Sequence, residues 1–455
     1  MLLLAAGVVL AGCSAGTRAT AVQTVARPKP EPRHRVTRVQ VTVVDGDTNR
    51  RVAGALVRVG GRAARTNARG VALVPLARHG ALVTSASKPA YGATSVRLPF
   101  RTHPQSTVRI YRPSLQWQMY GAGPQRTQAQ PAIRVRPPFR VVWSRGLGSL
   151  VEFPAVVADG VAYVANARGT VRALDMRDGT VIWHHDTPHG KMASSPAVWG
   201  TELIVHGMDG HVWVLRRSDG KLLWHYDVGS PVESSPVVVN GVDVFGAWNG
   251  VVTALDLRTH RVRWRRYDGC KLTSSAAVAG ATLYLGDYCG RLLALSARTG
   301  ALRWVGQVNG RIYGTPAVAN GRVFVPSSDG GSLTAFSTRG RPLWRRLVGS
   351  YVYSSPAVWG GRVFFGAYNG VFYAVTAATG RTLWTVGTGG SISGAAVVVD
   401  GVAYAGSFAH RIVGVDARSG RVVLSFPHGE YVPVSGSGHR LLLHGFSRIY
   451  AVEAR

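Results

Sequence analysis

At 455 residues the chain is about three times a typical domain length, and its 46% apolar and 16% charged residues exclude a disordered or coiled-coil polypeptide. Its 56 Gly, 12 Trp, 16 Tyr and 12 Phe suit short strands joined by tight turns and exclude a helix bundle. Lys and Arg outnumber Asp and Glu by 53 to 22, a formal charge of +31 that favours adhesion to polyanions, although an excess made almost wholly of Arg also follows from a GC-rich coding sequence and is a weak functional signal.

Leu2 to Ala11 form an apolar run ending in Leu10-Ala11-Gly12-Cys13. The pattern resembles a bacterial lipoprotein signal, with small residues before a Cys that becomes the new N-terminus, and the run is too short to span a bilayer. The resemblance implies residues 1–12 as signal peptide, acylation of Cys13 and an exported, membrane-anchored chain facing the extracytoplasmic or periplasmic side. No Lys or Arg precedes the run, which points to a start codon further upstream. Residues 13–35, rich in Ala, Thr, Arg and Pro (Pro28, Pro30, Pro32), read as an extended tether. No other segment is apolar enough to be transmembrane.

Residues 36–112 show period-two strands: Val39–Val44, Ala55–Val59, Val71–Val74, Leu82–Ala86, Thr94–Leu98 and Thr107–Tyr111. Turns fall at Asp45-Gly46-Asp47, Gly60-Gly61 and Ala68-Arg69-Gly70. Val43-Val44-Asp45, Ala53-Gly54-Ala55, Thr66-Asn67-Ala68-Arg69-Gly70 and Lys88-Pro89-Ala90-Tyr91-Gly92 resemble the carboxypeptidase regulatory-like (transthyretin-like) family. That resemblance implies a small β-sandwich without catalytic residues, a spacer or adhesion module.

Beyond it Trp recurs at 143, 183, 224, 264, 304, 344 and 384, with Leu424 in the next slot, at intervals of 40 and once 41. A second landmark keeps step: Ser194-Ser195-Pro196, Ser234-Ser235-Pro236, Ser274-Ser275-Ala276, Gly314-Thr315-Pro316 and Ser354-Ser355-Pro356. Four short strands per repeat make residues 113–455 a β-propeller, in which each blade buries its faces against its neighbours and the Trp fills the gap between them. Seven complete units begin near Pro154, Pro196, Pro236, Ala276, Pro316, Pro356 and Ala395. Three strands within Tyr431–Glu453 pair with a spare strand at Phe139–Ser144, which predicts an eight-bladed ring closed by its two ends. The fold class expected is therefore all-β, an eight-bladed propeller behind a small N-terminal sandwich.

Ala173-Leu174-Asp175 with Gly179 and Trp183, Ala254-Leu255-Asp256, and Val415-Asp416 with Gly420 resemble the pyrroloquinoline quinone (PQQ) repeat. Two classes share that repeat: quinoprotein dehydrogenases, which hold PQQ and calcium over the ring axis, and the noncatalytic lipoprotein of the outer-membrane assembly (Bam) machinery with related exported propellers. Quinone-binding members typically stack PQQ between a Trp and a disulfide of adjacent cysteines, with Ca²⁺ on a Glu and an Asn. This chain has no Cys-Cys pair, and its carboxylates are mostly single Asp at repeated turns (Asp175, Asp209, Asp256, Asp416) rather than converging oxygen ligands. No bound cofactor and no catalytic or metal-binding residues are therefore expected, and a PQQ-dependent dehydrogenase is the alternative.

His184 and His185, adjacent on a strand, face opposite ways and form no metal site. Asp209-Gly210, Asn249-Gly250 and Asn369-Gly370 read as two-residue hairpin turns. Cys270, leading into an inner strand, and Cys289, in that blade's second-to-third turn, are expected to form a disulfide, which an exported location preserves. The residues before each Ser-Ser-Pro landmark should rim the channel: Lys191, Glu233, Lys271, Arg311, Tyr313, Tyr351, Tyr353 and Tyr431. Cations and aromatics there suit a peptide or an anionic ligand, against the plainer alternative of a solvated loop. Outer strands carry a basic run of Arg261, Arg263, Arg265, Arg266, Arg345 and Arg346. An exported monomer that scaffolds envelope proteins or peptides is the function expected, with adhesion to anionic cell-wall polymer or acidic lipid as a further alternative and nucleic acid excluded.

Overall fold

Alternating apolar residues drive the first part of the chain into two sheets around one core. In the computed structural model, which describes residues 37–76, 80–100, 104–188 and 190–455, the strand Thr37–Asp45 lies between Val71–Leu76, antiparallel, and Gln105–Ile110, parallel. Cys13, the apolar run and the tether lie outside the described residues. A second sheet runs Arg62–Arg65, Leu56–Val59, Ala81–Ser87, Thr94–Pro99. Val39, Val41, Val43, Val57, Val59, Val74, Val108 and Ile110 meet between the sheets, every second residue of each strand turned inward. Arg62–Arg65 carries no apolar alternation and sits at the sheet's edge, so nothing in its residue pattern announces a strand.

Six further sheets each consist of four consecutive strands, the first within residues 156–186, and a seventh has four consecutive strands within 397–427 plus Ala129–Gln130 at its inner edge. In one more sheet, Val434–Ser437, Arg440–His444 and Arg448–Ala454 are completed by Phe139–Gly146, which pairs antiparallel with the last of them and joins the two ends of the repeat. Innermost strands of successive sheets adjoin, and Val156–Ala158 of the first adjoins Val434–Ser437 of the composite sheet. This radial array is a β-propeller. Among the described residues the one helical turn is Pro113–Leu115, and no helix is long and apolar enough to cross a membrane.

One contact repeats around the ring. Each outer-strand Trp reaches the third-to-fourth-strand turn of the next sheet and lies on its Gly: Trp143 on Gly179, Trp183 on Gly220, Trp264 on Gly300, Trp304 on Gly340, Trp344 on Gly380 and Trp384 on Gly420. The indole N–H of each donates to a carbonyl of the same turn at 2.8–3.3 Å. A Cβ on any of these glycines would stand 2.4–2.8 Å from a ring carbon. The exception is Trp224, whose partner position holds His260 at φ 57°; the rings stack at 4.3 Å and the indole nitrogen has no hydrogen-bond partner. Leu424 fills the Trp slot facing the composite sheet.

Ser-Ser-Pro is the inner counterpart of that joint. Ser195 N donates to Ser235 Oγ at 3.0 Å, Ser235 N to Ser275 Oγ at 2.8 Å and Thr315 N to Ser355 Oγ at 2.8 Å. These hydroxyls lace neighbouring sheets together where they converge on the axis.

The second-to-third-strand turns differ from the two-residue hairpins expected. Residues 207–210, 247–250 and 367–370 are four-residue connections in which only the final Gly has positive φ. Asp209, Asn249 and Asn369 stay at negative φ and accept the N–H two residues on, each at 3.1 Å, so the Asx side chain closes the turn that a left-handed backbone was expected to close.

Gly300 and Gly349 have φ +70° and +68°, but only Gly300 faces an indole. Both Ala substitutions meet the same backbone strain, so their difference isolates the joint. Gly300→Ala should destabilise the protein by at least ~1 kcal/mol more than Gly349→Ala in urea unfolding.

Candidate functional site

A channel on the axis of such a ring leaves the innermost strands with unpaired edges. Residues 117–130 occupy it. The amide of the middle residue of an innermost strand donates into this segment again and again: Val157 to Trp117 O, Val198 to Gln118 O, Val278 to Pro124 O, Val318 to Gln125 O, Val358 to Thr127 O and Val398 to Gln128 O, at 2.7–2.9 Å. Ala129–Gln130 then adds to Val397–Val399 as a parallel strand. Arg126, wholly buried, donates to the carbonyls of Ala276, Ser235, Pro236 and Tyr120. Burial pushes its guanidinium down to about 10. The segment closes the channel from below, and Tyr120, whose hydroxyl donates to Ser355 Oγ at 3.1 Å, is its upper surface.

Above that floor lies a chamber of about 40 Å³. Its wall is built from equivalent loops of successive repeats. A buried apolar peg (Val151, Met192, Val232, Leu272, Ile312, Val352, Ile392) anchors each loop entering an innermost strand. The next residue lines the chamber: Glu152, Glu233, Thr273, Tyr313, Tyr353 and Ser393, all but Ala193 in that register. The residue before the peg stands on the outer rim: Lys191, Lys271, Arg311 and Tyr351. The sequence-derived set therefore divides. Glu233, Tyr313, Tyr353 and Tyr431 share the chamber, whereas Lys191, Lys271, Arg311 and Tyr351 surround its mouth.

Glu233 is buried and held by two donors, Tyr313 Oη at 2.5 Å and Trp248 Nε1 at 3.0 Å. Burial and the Glu233 charge push the Tyr313 phenol far above its ordinary range. Tyr313, Tyr353, Tyr368, Phe408 and Tyr431 form an unbroken aromatic arc with centroids 5.0–5.9 Å apart. Two rim cations are already engaged. Lys271 Nζ lies 3.3 Å from the Trp248 ring centroid, and Arg311 Nε donates to Asp329 at 2.9 Å. Cys270 and Cys289 are bonded, Cα atoms 6.0 Å apart, directly beside Lys271 and Tyr288.

Sequence reasoning missed Glu152, Tyr120, Trp248, Tyr288, Tyr368 and Phe408. The last four sit on second-to-third-strand turns, in register at 40-residue spacing. Those turns are tied to the rim by repeated bonds such as Tyr288 N to Lys271 O at 3.0 Å and Tyr368 N to Tyr351 O at 2.9 Å. That spacing was the available signal. The basic outer strands are exposed but partly neutralised, Arg263 by Asp256 at 2.6 Å and Arg266 by Asp268 at 3.3 Å. No group of three or more His, Cys, Asp or Glu capable of holding a metal occurs among the described residues.

PQQ, a polyanionic tricyclic quinone, does not fit this chamber. The space is small, its floor is the chain's own Tyr120, and its wall presents Glu152 and Glu233 where an anion would need cationic partners.

Glu152 makes no hydrogen bond or ion pair among the described residues. Burial, followed by the Glu233 charge, raises its carboxyl to about 7, against a smaller opposing effect of Lys191. A carboxyl with a raised folded-state value contributes stability below the ordinary glutamate range and loses it as pH rises through about 7. Glu152→Gln should therefore be more stable than the parent at alkaline pH, by on the order of 1–3 kcal/mol, and this gain should vanish in acid. Thermal unfolding across pH checks the sign. Thiol titration of denatured, unreduced protein should find neither Cys270 nor Cys289 free.

Over residues 139–247, 248–350 and 331–430 the chain matches the family described as outer membrane protein assembly factor BamB. The Yersinia pestis protein of that name is 32% identical over 138 residues, 27% of this chain and 35% of that relative, so the aligned region spans about a third of the relative's length. The crystal structure of BamB from Moraxella catarrhalis superposes with a TM-score of 0.60 at 17% identity, covering 70% of this chain and 98% of that one. Quinohemoprotein alcohol dehydrogenase from Comamonas testosteroni gives 0.66 at 16%, covering 74% and 80%, so likeness at this level speaks to fold alone. With the family match running from residue 139 to 430, more than half its length, the chain belongs to the family of the outer membrane protein assembly factor BamB, and its fold is the PQQ-repeat β-propeller.

Proposed function

We propose that this chain is an exported, noncatalytic scaffold of the cell envelope that receives protein partners on its rim face during outer-membrane assembly, anchored through an acylated Cys13. The observation that carries the reading is the inequality of the two faces. The first-to-second-strand turns meet the N-terminal sheets: Gly438 and His439 contact Asp47, and Tyr111 packs on Gly160. The opposite face is free among the described residues and carries the aromatic arc at the mouth of the chamber. Aromatic anchors in a shallow pocket are the usual centre of a protein-binding patch.

The finer architecture belongs to the same proposal. We read eight blades, on the support of six four-stranded sheets, a seventh that gains Ala129–Gln130 as a fifth strand, and the composite one. Residues 36–112 are read as a carboxypeptidase regulatory-like sandwich, on the support of two sheets sharing one core. The noncatalytic reading draws support from the mismatch between PQQ and the chamber, and the name of the relatives supports the assembly role. A single-chain scaffold is the state envisaged. Anionic cell-wall polymer or acidic lipid is the competing partner class, favoured by exposed Arg261, Arg265, Arg345 and Arg346 on the outer strands.

Tyr351, Tyr353 and Tyr431 are the anchors to test. Tyr313 is left in place because its hydroxyl holds Glu233. Replacing the three by Ala should leave thermal unfolding unchanged and lower capture of crosslinked envelope proteins at least ~10-fold. Unchanged capture moves the binding face elsewhere, and salt-sensitive retention on cell-wall or acidic-lipid preparations points to the polyanion reading. Alcohol or sugar oxidation by purified protein with added PQQ and Ca²⁺ overturns the noncatalytic reading.

A further inference from the structure

We propose that the axial chamber receives one basic side-chain head, a lysine ammonium or an arginine guanidinium, carried on a loop of the protein partner; the proposal deepens the rim-face reading and rests on it. Four observations converge. Glu233 already has both carboxylate oxygens engaged, whereas Glu152 across the same space has no partner among the described residues. Phe153, Tyr353 and Tyr431 line the space, and aromatic faces attract a cation where they repel an anion. Thr273, also in the wall, places a buried hydroxyl oxygen there that can accept from an N–H of the head group. The volume of about 40 Å³ suits a small head group, and the floor at Tyr120 leaves the rim as the way in.

The overall charge of +31 does not oppose this. Charges more than about 8 Å away are screened at physiological salt, and the local balance decides. Lys271 is committed to Trp248 and Arg311 to Asp329. Lys191 alone remains, facing Glu152 from the exposed rim, and a partner's cation displaces its weak influence by entering deeper. The groups facing Glu152 are Glu233, Lys191, Tyr313 and Tyr431. Glu152 itself titrates at about 7, so cation entry ionises it and expels a proton.

Calorimetry with N-acetyl-arginine amide and N-acetyl-lysine amide on the purified chain, in buffers of different ionisation heat, tests this. Saturable binding is expected, with proton release near the Glu152 titration, no release in alkali, and at least a tenfold loss of affinity in Glu152→Gln. No saturable binding, or equal affinity in Glu152→Gln, overturns the proposal. Binding of spermidine without either amide also overturns it, by making a free polyamine the occupant. Partner capture separates this from the broader reading. Capture lost in the tyrosine variant but intact in Glu152→Gln overturns the chamber's role and leaves the rim face standing, whereas capture intact in both overturns the two together.

Discussion

A four-stranded meander has two apolar faces and no means of burying either alone. Everything in this molecule follows from how neighbouring sheets cover each other, and the contact that fixes their spacing is an indole lying on a glycine. The glycine is needed twice over, for its positive φ and for the missing Cβ, which would intrude on the ring. The indole N–H then ties the same turn through its carbonyl, so one side chain sets distance and orientation together. Where His260 replaces the glycine, stacking survives and the hydrogen bond does not. Sequence tolerance is therefore narrower for the hydrogen bond than for the packing.

A ring built this way creates its own problem at the centre, since every innermost strand offers unpaired amides to the axis. The chain solves it with 117–130, an irregular segment whose carbonyls meet one strand after another. Arg126 adds donors toward the carbonyls of Ala276, Ser235 and Pro236, and a wholly buried guanidinium is tolerable because carbonyl oxygens surround it. The consequence for function is direct. Closing the channel from below turns a pore into a cup, and a cup with two carboxylates and an aromatic wall selects ligands by charge and size.

What the sequence announced and what it hid divide along one line. The ring was legible because Trp143 through Trp384 and the Ser-Ser-Pro landmarks repeat, and repetition reports packing between equivalent neighbours. The plug was illegible because it bonds through its backbone, which leaves no residue pattern. Arg62–Arg65 was hidden likewise, an edge strand without an inward face. Glu152 was missed for another reason: its repeat reads Glu152-Phe153-Pro154 where the others carry Ser-Ser-Pro or a close variant, so the residue fell out of phase with Glu233, its structural equivalent. Glu233, Tyr313 and Tyr353 reached the chamber because position relative to the buried peg, not nearness to the landmark, decides which way a side chain points; Tyr431 lines it without such a peg before it.

The two faces also differ in what they leave available. The clasp between the N-terminal sheets and the ring is polar and concentrated on one carboxylate: Asp47 accepts from Arg112 N at 2.7 Å and from Gln116 Nε2 at 2.9 Å, and burial raises its carboxyl above the ordinary value. Arg112 pairs with Asp45 at 2.8 Å beside it. Asp45 ends the nine-residue strand that begins at Thr37, and a strand of that length spans about 27 Å. The chain therefore enters at the far end of the strand from the clasp. The contacts of Asp47 and Tyr111 fall on the first-to-second-strand turns, at Gly438, His439 and Gly160, so the geometry that fastens the N-terminal sheets to the ring is the same geometry that leaves the cup uncovered among the described residues.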